Sequence, residues 1–200
     1  LLAACANVPT LPMKQDPQDG MQPPGFTSRR RAGEGQWGDR ILVEGQYLPV
    51  AWLEFDDDDS SATSAVDGSA DGDGYGGRFA IGNKDQSIGA MYQGLDLSGD
   101  SGTIRIDSLY VDFDVRVPLS EGGGNFSLLI GAGLGGARFD RDIGASGIDN
   151  EGAAQLRAVL NFNPSRAFSF DVGFGGVIYG HPGEAEAYGS YVLVGMTTAF

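Results

Sequence analysis

The sequence predicts an all-β chain of eight antiparallel strands joined as a meander, on three observations. From residue 40 to the end, apolar residues recur at every second position, the period of a strand that buries one face. Glycine, 33 in 200 residues, is spread evenly along these stretches and works against long helices. The links between stretches alternate between short turns and longer, more polar segments.

The first stretch, about 40–55, contains Pro49, which cannot donate a ladder hydrogen bond and predicts a bulge. Beyond it Val50, Trp52 and Glu54 leave the earlier phase, so the facing of this strand stays open. Stretches 76–83 and 87–96 follow, joined by the short turn 83–86. The clearest alternation sets Leu109, Val111, Phe113, Val115 and Val117 against Tyr110, Asp112, Asp114 and Arg116. Stretch 126–139 is apolar on both faces, with small residues on one, and its facing also stays open. A hairpin about Asn163-Pro164-Ser165-Arg166 comes next. Before it Ala154, Leu156, Ala158, Leu160 and Phe162 oppose Gln155, Arg157, Val159 and Asn161; after it Phe168, Phe170, Val172 and Phe174 oppose Ser169, Asp171, Gly173 and Gly175. The last strand sets Val192, Val194, Met196, Thr198 and Phe200 against Tyr191, Leu193, Gly195 and Thr197. Residues 119–125 are a further short turn, and 56–75, 97–103, 140–152 and 181–187 are the longer links.

Composition narrows the function. The formal charge of −14, with 13 Lys and Arg against 27 Asp and Glu, argues against nucleic acid as a partner, because such binding relies on neutralising phosphates. One Cys excludes an intramolecular disulfide framework and a thiolate zinc site, and one His leaves little for metal or triad chemistry. No run of 18 apolar residues is available for a transmembrane helix.

The chain opens Leu1-Leu2-Ala3-Ala4-Cys5-Ala6. This resembles the end of a bacterial lipobox, which implies acylation of Cys5 and an exported protein; cleavage at Ala4-Cys5-Ala6 before Asn7 is the competing reading. Residues 1–5 thus read as the remnant of a signal peptide or lipobox. Residues 6–38, punctuated by Pro9, Pro12, Pro17, Pro23 and Pro24 without apolar period, read as a flexible, disordered tether. Arg29-Arg30-Arg31 within it reads as a solvated charge run.

Eight strands with long links at one rim and tight turns at the other resemble the small outer-membrane barrels typified by the membrane domain of outer membrane protein A. The resemblance covers residues 39–200 and implies an up-and-down transmembrane β-barrel, since closure removes edges that hydrocarbon would not tolerate. Phe126, Phe162, Phe168 and Phe200 sit beside the short turns, where an aromatic girdle belongs. The ending Gly195-Met196-Thr197-Thr198-Ala199-Phe200 is similar to the family's assembly signal at Gly195 and Phe200, with Thr198 and Leu193 as departures. The resemblance further implies a bacterial outer-membrane location, extracellular long loops and a periplasmic tether. Its implied partners are membrane lipids, lipopolysaccharide and the barrel assembly machinery.

If the apolar faces meet lipid, the lumen receives Glu44, Arg78, Asp112, Asp114, Arg116, Arg157 and Asp171, which should pair as a salt-bridged plug. The expected role is structural or surface-interacting and non-enzymatic, with the surface partner open. A narrow gated channel is the second reading. A lipid A-modifying enzyme, using His181 with Glu184 or Glu186, is the third, and it lacks a serine in a matching motif. Reversed facing would instead make a soluble ligand-binding barrel.

Seven Asp fall in 56–75, among them Asp56-Asp57-Asp58-Asp59, with no base. Asp67, Asp71 and Asp73 alternate with Gly in a pattern that resembles part of a Ca²⁺ loop, without its closing Glu. A solvated acidic loop is the plainer expectation. No cofactor is required, and Ca²⁺ on this outer loop is the one candidate. Most of the acidity is thereby expected at a single rim.

Overall fold

The computed structural model describes residues 38–55, 68–99, 102–119, 125–141, 149–165, 167–181 and 184–200; the side chains of 141, 149–150, 181 and 184–186 are outside the description. Eight strands follow one another: β1 (Arg40–Phe55), β2 (Gly68–Gly82), β3 (Gln86–Gly99), β4 (Gly102–Pro118), β5 (Phe126–Arg141), β6 (Asp149–Phe162), β7 (Phe168–His181) and β8 (Glu184–Ala199). Each pairs antiparallel with the next, and β1 pairs with β8, so the sheet closes in sequence order. The seam continues past the strand ends. The Ile41 N–H donates to Phe200 O at 3.1 Å and the Phe200 N–H to Ile41 O at 2.9 Å.

The strands are longer than their sequence signatures at the long-link rim. Residues 68–75, expected in a link, belong to β2, and only residues 100–101 separate β3 from β4 where 97–103 was expected to connect them. Likewise β5 reaches Arg141, β6 starts at Asp149, and β7 and β8 leave only 182–183 between them. The cause is physical: polar outward residues such as Asp71, Asp73, Arg105 and Asp107 suit a strand whose outer side is wet as well as they suit a loop.

The ladder is regular apart from two places. At Pro49 the registers with β2 and β8 skip, between Leu48 and Ala51 on one side and Tyr47 and Val50 on the other. The extra residue restores phase, so that Ile41, Val43 and Tyr47, then Val50 and Trp52, all face outward. At Tyr179/Gly180 the β7–β8 register shifts, and Gly180 takes a φ of 142°, which a side chain would strain. On β5, Leu128, Ile130, Ala132 and Leu134 form the outward row and Ser127, Gly131 and Gly133 the inward one.

Cys5 and the expected tether lie outside the described residues except for Gly38, whose N–H donates to Gly82 O at 3.1 Å.

Candidate functional site: the layered barrel interior and its outer wall

The interior is divided along the barrel axis into two layers of opposite character. Toward the short-turn rim it is ionic. Arg78 of β2 bonds Asp112 of β4 through Nε at 2.5 Å and approaches Asp114 at 3.2 Å through a terminal nitrogen, which also donates to Ser87 at 3.1 Å. Arg157 of β6 reaches across the lumen to Glu44 of β1 at 3.1 Å, to Asp112 at 3.3 Å and to Asp114 at 2.7 Å. Both guanidinium side chains are 2 % exposed. Backbone glycine makes the room: a Cβ on Gly131 would stand 2.0 Å from Asp114 Oδ1 and 3.0 Å from Arg157.

Of the other residues expected in this network, Asp171 is buried beside it with different partners. It accepts from Thr197 Oγ1 at 2.6 Å and from Asn161 Nδ2. Asn161 Oδ1 in turn accepts from Ser127 Oγ at 3.1 Å. Arg116 makes none of these ion pairs. It sits half-buried at the turn rim beside a cavity of about 20 Å³ that Glu44, Arg78, Asp114, Asp85 and Thr197 also line. The sequence reading picked the charges and missed the neutral partners Ser87, Ser127, Asn161, Gln155 and Thr197. Gln155, Asn161 and Thr197 stood on the polar side of their strands' alternation, and that parity was the available signal; Ser87 and Ser127 lay in stretches whose facing was not assigned.

Above the ions, Tyr191 donates to Gln155 Oε1 at 3.1 Å, and Gln155 and Arg157 both lie against Met91 Sδ. The Tyr191 ring packs into the space left by Gly175, where a Cβ would be 2.3 Å away.

Toward the long-link rim the interior is apolar. Leu48, Leu53, Leu95, Leu97, Ile104, Ile106, Phe139, Ala153, Val177, Ala187 and Leu193 are buried there, with contributions from all eight strands when Ala70 of β2 is included. Phe139 meets Tyr179 edge-on at 5.4 Å between ring centroids. The expected interior was a charged plug alone; a hydrophobic core stands on top of it. Each buried Leu or Ile in this layer contributes roughly 1.5–3 kcal/mol through removal from water.

The outer wall is layered in the complementary sense. Alongside the ionic layer, outward side chains are apolar, from Phe126, Phe162, Phe168, Phe170 and Phe200 at the turn rim up to Tyr47, Trp52, Tyr75, Tyr92 and Tyr188. Among the described residues no charged side chain points outward between these two aromatic belts. On β7 the run from Phe168 to Ile178 covers about 25 Å along the axis, taking ~3.3 Å per residue and a tilt of ~40°.

Beyond the upper belt the outward positions turn polar: Asp71, Asp73, Asp96, Arg105, Asp107, Arg138 and Asp140. The tyrosines face both zones. Tyr47 donates to Asp73 at 3.0 Å and Tyr92 to Asp107 at 2.5 Å, while Arg105 donates to the Tyr75 hydroxyl at 2.6 Å and pairs with Asp107 at 3.3 Å. Amphipathic rings suit such a boundary, with an apolar body and a polar tip.

The Ca²⁺ expectation set Asp71 and Asp73 in a loop, and the structure sets them on β2. Asp67 lies outside the described residues, and Asp71 and Asp73 are on an extended strand, outward, with Asp73 engaged by Tyr47. A strand spreads successive carboxylates along a line, whereas Ca²⁺ needs six to eight oxygens converging on a point. Among the described residues no group of three acidic, His or Cys side chains is arranged to hold a metal. His181 and Glu184 are paired in the β7–β8 ladder, not set in an open loop; their side chains and that of Glu186 are not described. Gly195 faces inward opposite Gln46, close against the Gly45 carbonyl, and Phe200 closes the β1–β8 seam with its ring exposed.

These features define an eight-stranded, closed, up-and-down antiparallel barrel with an apolar belt and an ion-paired lumen. No family model matches the sequence, and no curated protein matches it. Solved structures do. The crystal structure of Neisserial surface protein A superposes with a TM-score of 0.62 at 13% identity, covering 80% of this chain and 97% of that one. The N-terminal β-barrel domain of Pseudomonas aeruginosa OprF gives 0.53 at 16% identity, covering 82% and 100%. The chain has the fold of the small eight-stranded outer-membrane barrels.

Proposed function

We propose that this chain is a non-enzymatic outer-membrane barrel that anchors a rigid, acidic β-extension at the cell surface for contact with other molecules. The observation that carries the reading is the paired inversion of facing. Where the wall is apolar the lumen is ionic, and where the wall is polar the lumen is apolar. The first half is built for hydrocarbon outside, the second for water outside. One sheet, without a break in closure, serves both solvents.

On β4 the wet part runs from Gly102 to about Leu109, roughly 18 Å along the axis at ~3.3 Å per residue and ~40° tilt. Its own hydrophobic core keeps it folded above the bilayer. Its outer surface carries more Asp than Arg, and the links at that rim add Asp56-Asp57-Asp58-Asp59 and Asp67, so the extension offers acidic groups to its surroundings. In this reading the short turns lie on the periplasmic side.

The channel alternative draws on the charged layer. Against it, that layer is packed with ion pairs, and the apolar layer above interrupts any polar file through the described lumen. Refolding the chain into lipid vesicles tests the proposal. Flotation with the vesicles, a heat-modifiable gel shift and electrically silent planar bilayers are expected. Failure to insert overturns the membrane placement, and reproducible unitary conductance overturns the closed lumen.

A further inference from the structure

We propose that a groove in the outer wall seats the acyl chains of an amine-bearing phospholipid, with the ammonium of its headgroup at Glu54 of β1. The site rests on the membrane placement proposed above.

Small residues make the groove. On β5 to β8 the outward positions Ala132, Ala154, Gly176 and Ser190 stand among large apolar neighbours. In the ladder Ala132 lies opposite Leu156, Leu156 opposite Gly176 and Gly176 opposite Ser190, so Leu156 stands as a ridge between hollows. The floor reaches strand backbone. Gly133, Gln155, Val177 and Gly189 point into the lumen and still line the cavity, which measures about 1040 Å³. Small-molecule sites run to ~300–1,000 Å³ and combine apolar walls with a few placed polar groups, which is the character of this lining.

Position names the class of occupant. The groove belongs to the apolar wall and reaches the upper aromatic belt at Trp52 and Tyr188, so lipid chains enter it with their headgroups at the long-link side. At that end Ser190 is exposed, without a side-chain partner among the described residues, and directly opposite Trp52 in the β1–β8 ladder. The Ser190 hydroxyl and the Trp52 indole N–H are donors, and both are costly against bare hydrocarbon. The ester carbonyls at the head of an acyl chain are acceptors for them.

Charge selects the headgroup. Glu54 follows Trp52 on the same face and lies opposite Tyr188, next above the groove. Among the described residues it has no ion pair. The chain carries no Lys or Arg from 167 to 200 or from 41 to 55, so β7, β8 and β1 offer no cation to a phosphate at this level. A headgroup whose only charge is a phosphate meets like charge there, whereas one that adds an ammonium meets Glu54.

The test uses the full chain with Trp37→Phe, so that Trp52 reports alone, folded into phosphatidylcholine vesicles. Part of the lipid is replaced by phosphatidylethanolamine or phosphatidylglycerol with brominated acyl chains, which quench tryptophan on contact. The ethanolamine lipid is expected to compete for the site about two to five times more strongly than the glycerol lipid, the range of one exposed ion pair. Glu54→Gln and Gly176→Leu are each expected to bring the two lipids level. The second fills the groove, and its Cβ meets only the Gly189 carbonyl oxygen at 3.6 Å. Equal quenching by both lipids in the parent chain overturns the site, and so does a preference that survives either variant; if Gly176→Leu does not fold, Glu54→Gln decides alone. Quenching by neither lipid overturns the membrane placement and the site with it, which sets that failure apart from failure of the site alone.

Discussion

Leu156→Arg separates a membrane wall from a wet one. Leu156 lies on β6 within the outward row Ala154–Phe162 and is 67% exposed. Its ladder neighbours are Ala132 on β5 and Gly176 on β7, so a longer side chain meets no steric barrier outside the barrel. If water surrounds this row, an exposed substitution costs within about 0.5 kcal/mol, and removing an exposed apolar residue is close to neutral. If hydrocarbon surrounds it, an arginine near the midplane costs about 2–4 kcal/mol. At ~1.4 kcal/mol per decade, that lowers the folding equilibrium constant by roughly thirty-fold to a thousand-fold. The assay is reversible folding into phospholipid vesicles along a denaturant series, read by Trp37 and Trp52 fluorescence. Thr103→Arg on the polar outer face of β4 is the control and is expected to shift the midpoint little. Equal, small effects at both positions would refute the inverted wall and the membrane placement that rests on it.

Three further outcomes follow from the interior. Asp114→Asn strips charge from a carboxylate that bonds both arginines and engages Arg157 through both oxygens, and the loss should approach the ~3–5 kcal/mol of a broken buried pair in the same titration. Gly131→Ala should lower stability in the same direction by ~1–3 kcal/mol, because its Cβ would stand 2.0 Å from Asp114 Oδ1 and force the ion pair apart; a heat-modification midpoint at or above wild type would contradict this. Phe139→Ala removes a ring from the apolar layer and should cost ~3–5 kcal/mol by denaturant titration, whereas Arg105→Ala on the exposed wall beside Asp107 should cost under ~1 kcal/mol.

The number of strands was legible in the sequence, and so was the turn-rim half of β4, β6, β7 and β8, because there a charge-free apolar row alternates with mostly polar or small residues. Leu109 to Val117 against Tyr110 to Arg116 is the plainest instance. The opposite half was written just as regularly and in reverse phase. Along β4 Ile104 and Ile106 point in while Thr103, Arg105 and Asp107 point out; two positions later Leu109 points out and Tyr110 in. No bulge marks the change in that strand, so the polar residues of 97–103 resembled a link, and Asp71 and Asp73 resembled a loop. The Pro49 bulge, by contrast, had a backbone cause visible in the sequence, the missing donor.

The sequence by itself therefore determined local things: extended segments, their turns, which residues share a face, and that charges and greasy residues occupy opposite faces. It could not say which face is inside, since alternation is symmetric under that exchange. Closure of β1 on β8 decided it, and decided it differently at the two ends of the same strands. It also set which charges meet, bringing Arg157 onto Glu44 from 113 residues away. Period two comes from the backbone of each strand alone. Partner choice comes from register and curvature of the whole sheet, which exist only once all eight strands are paired.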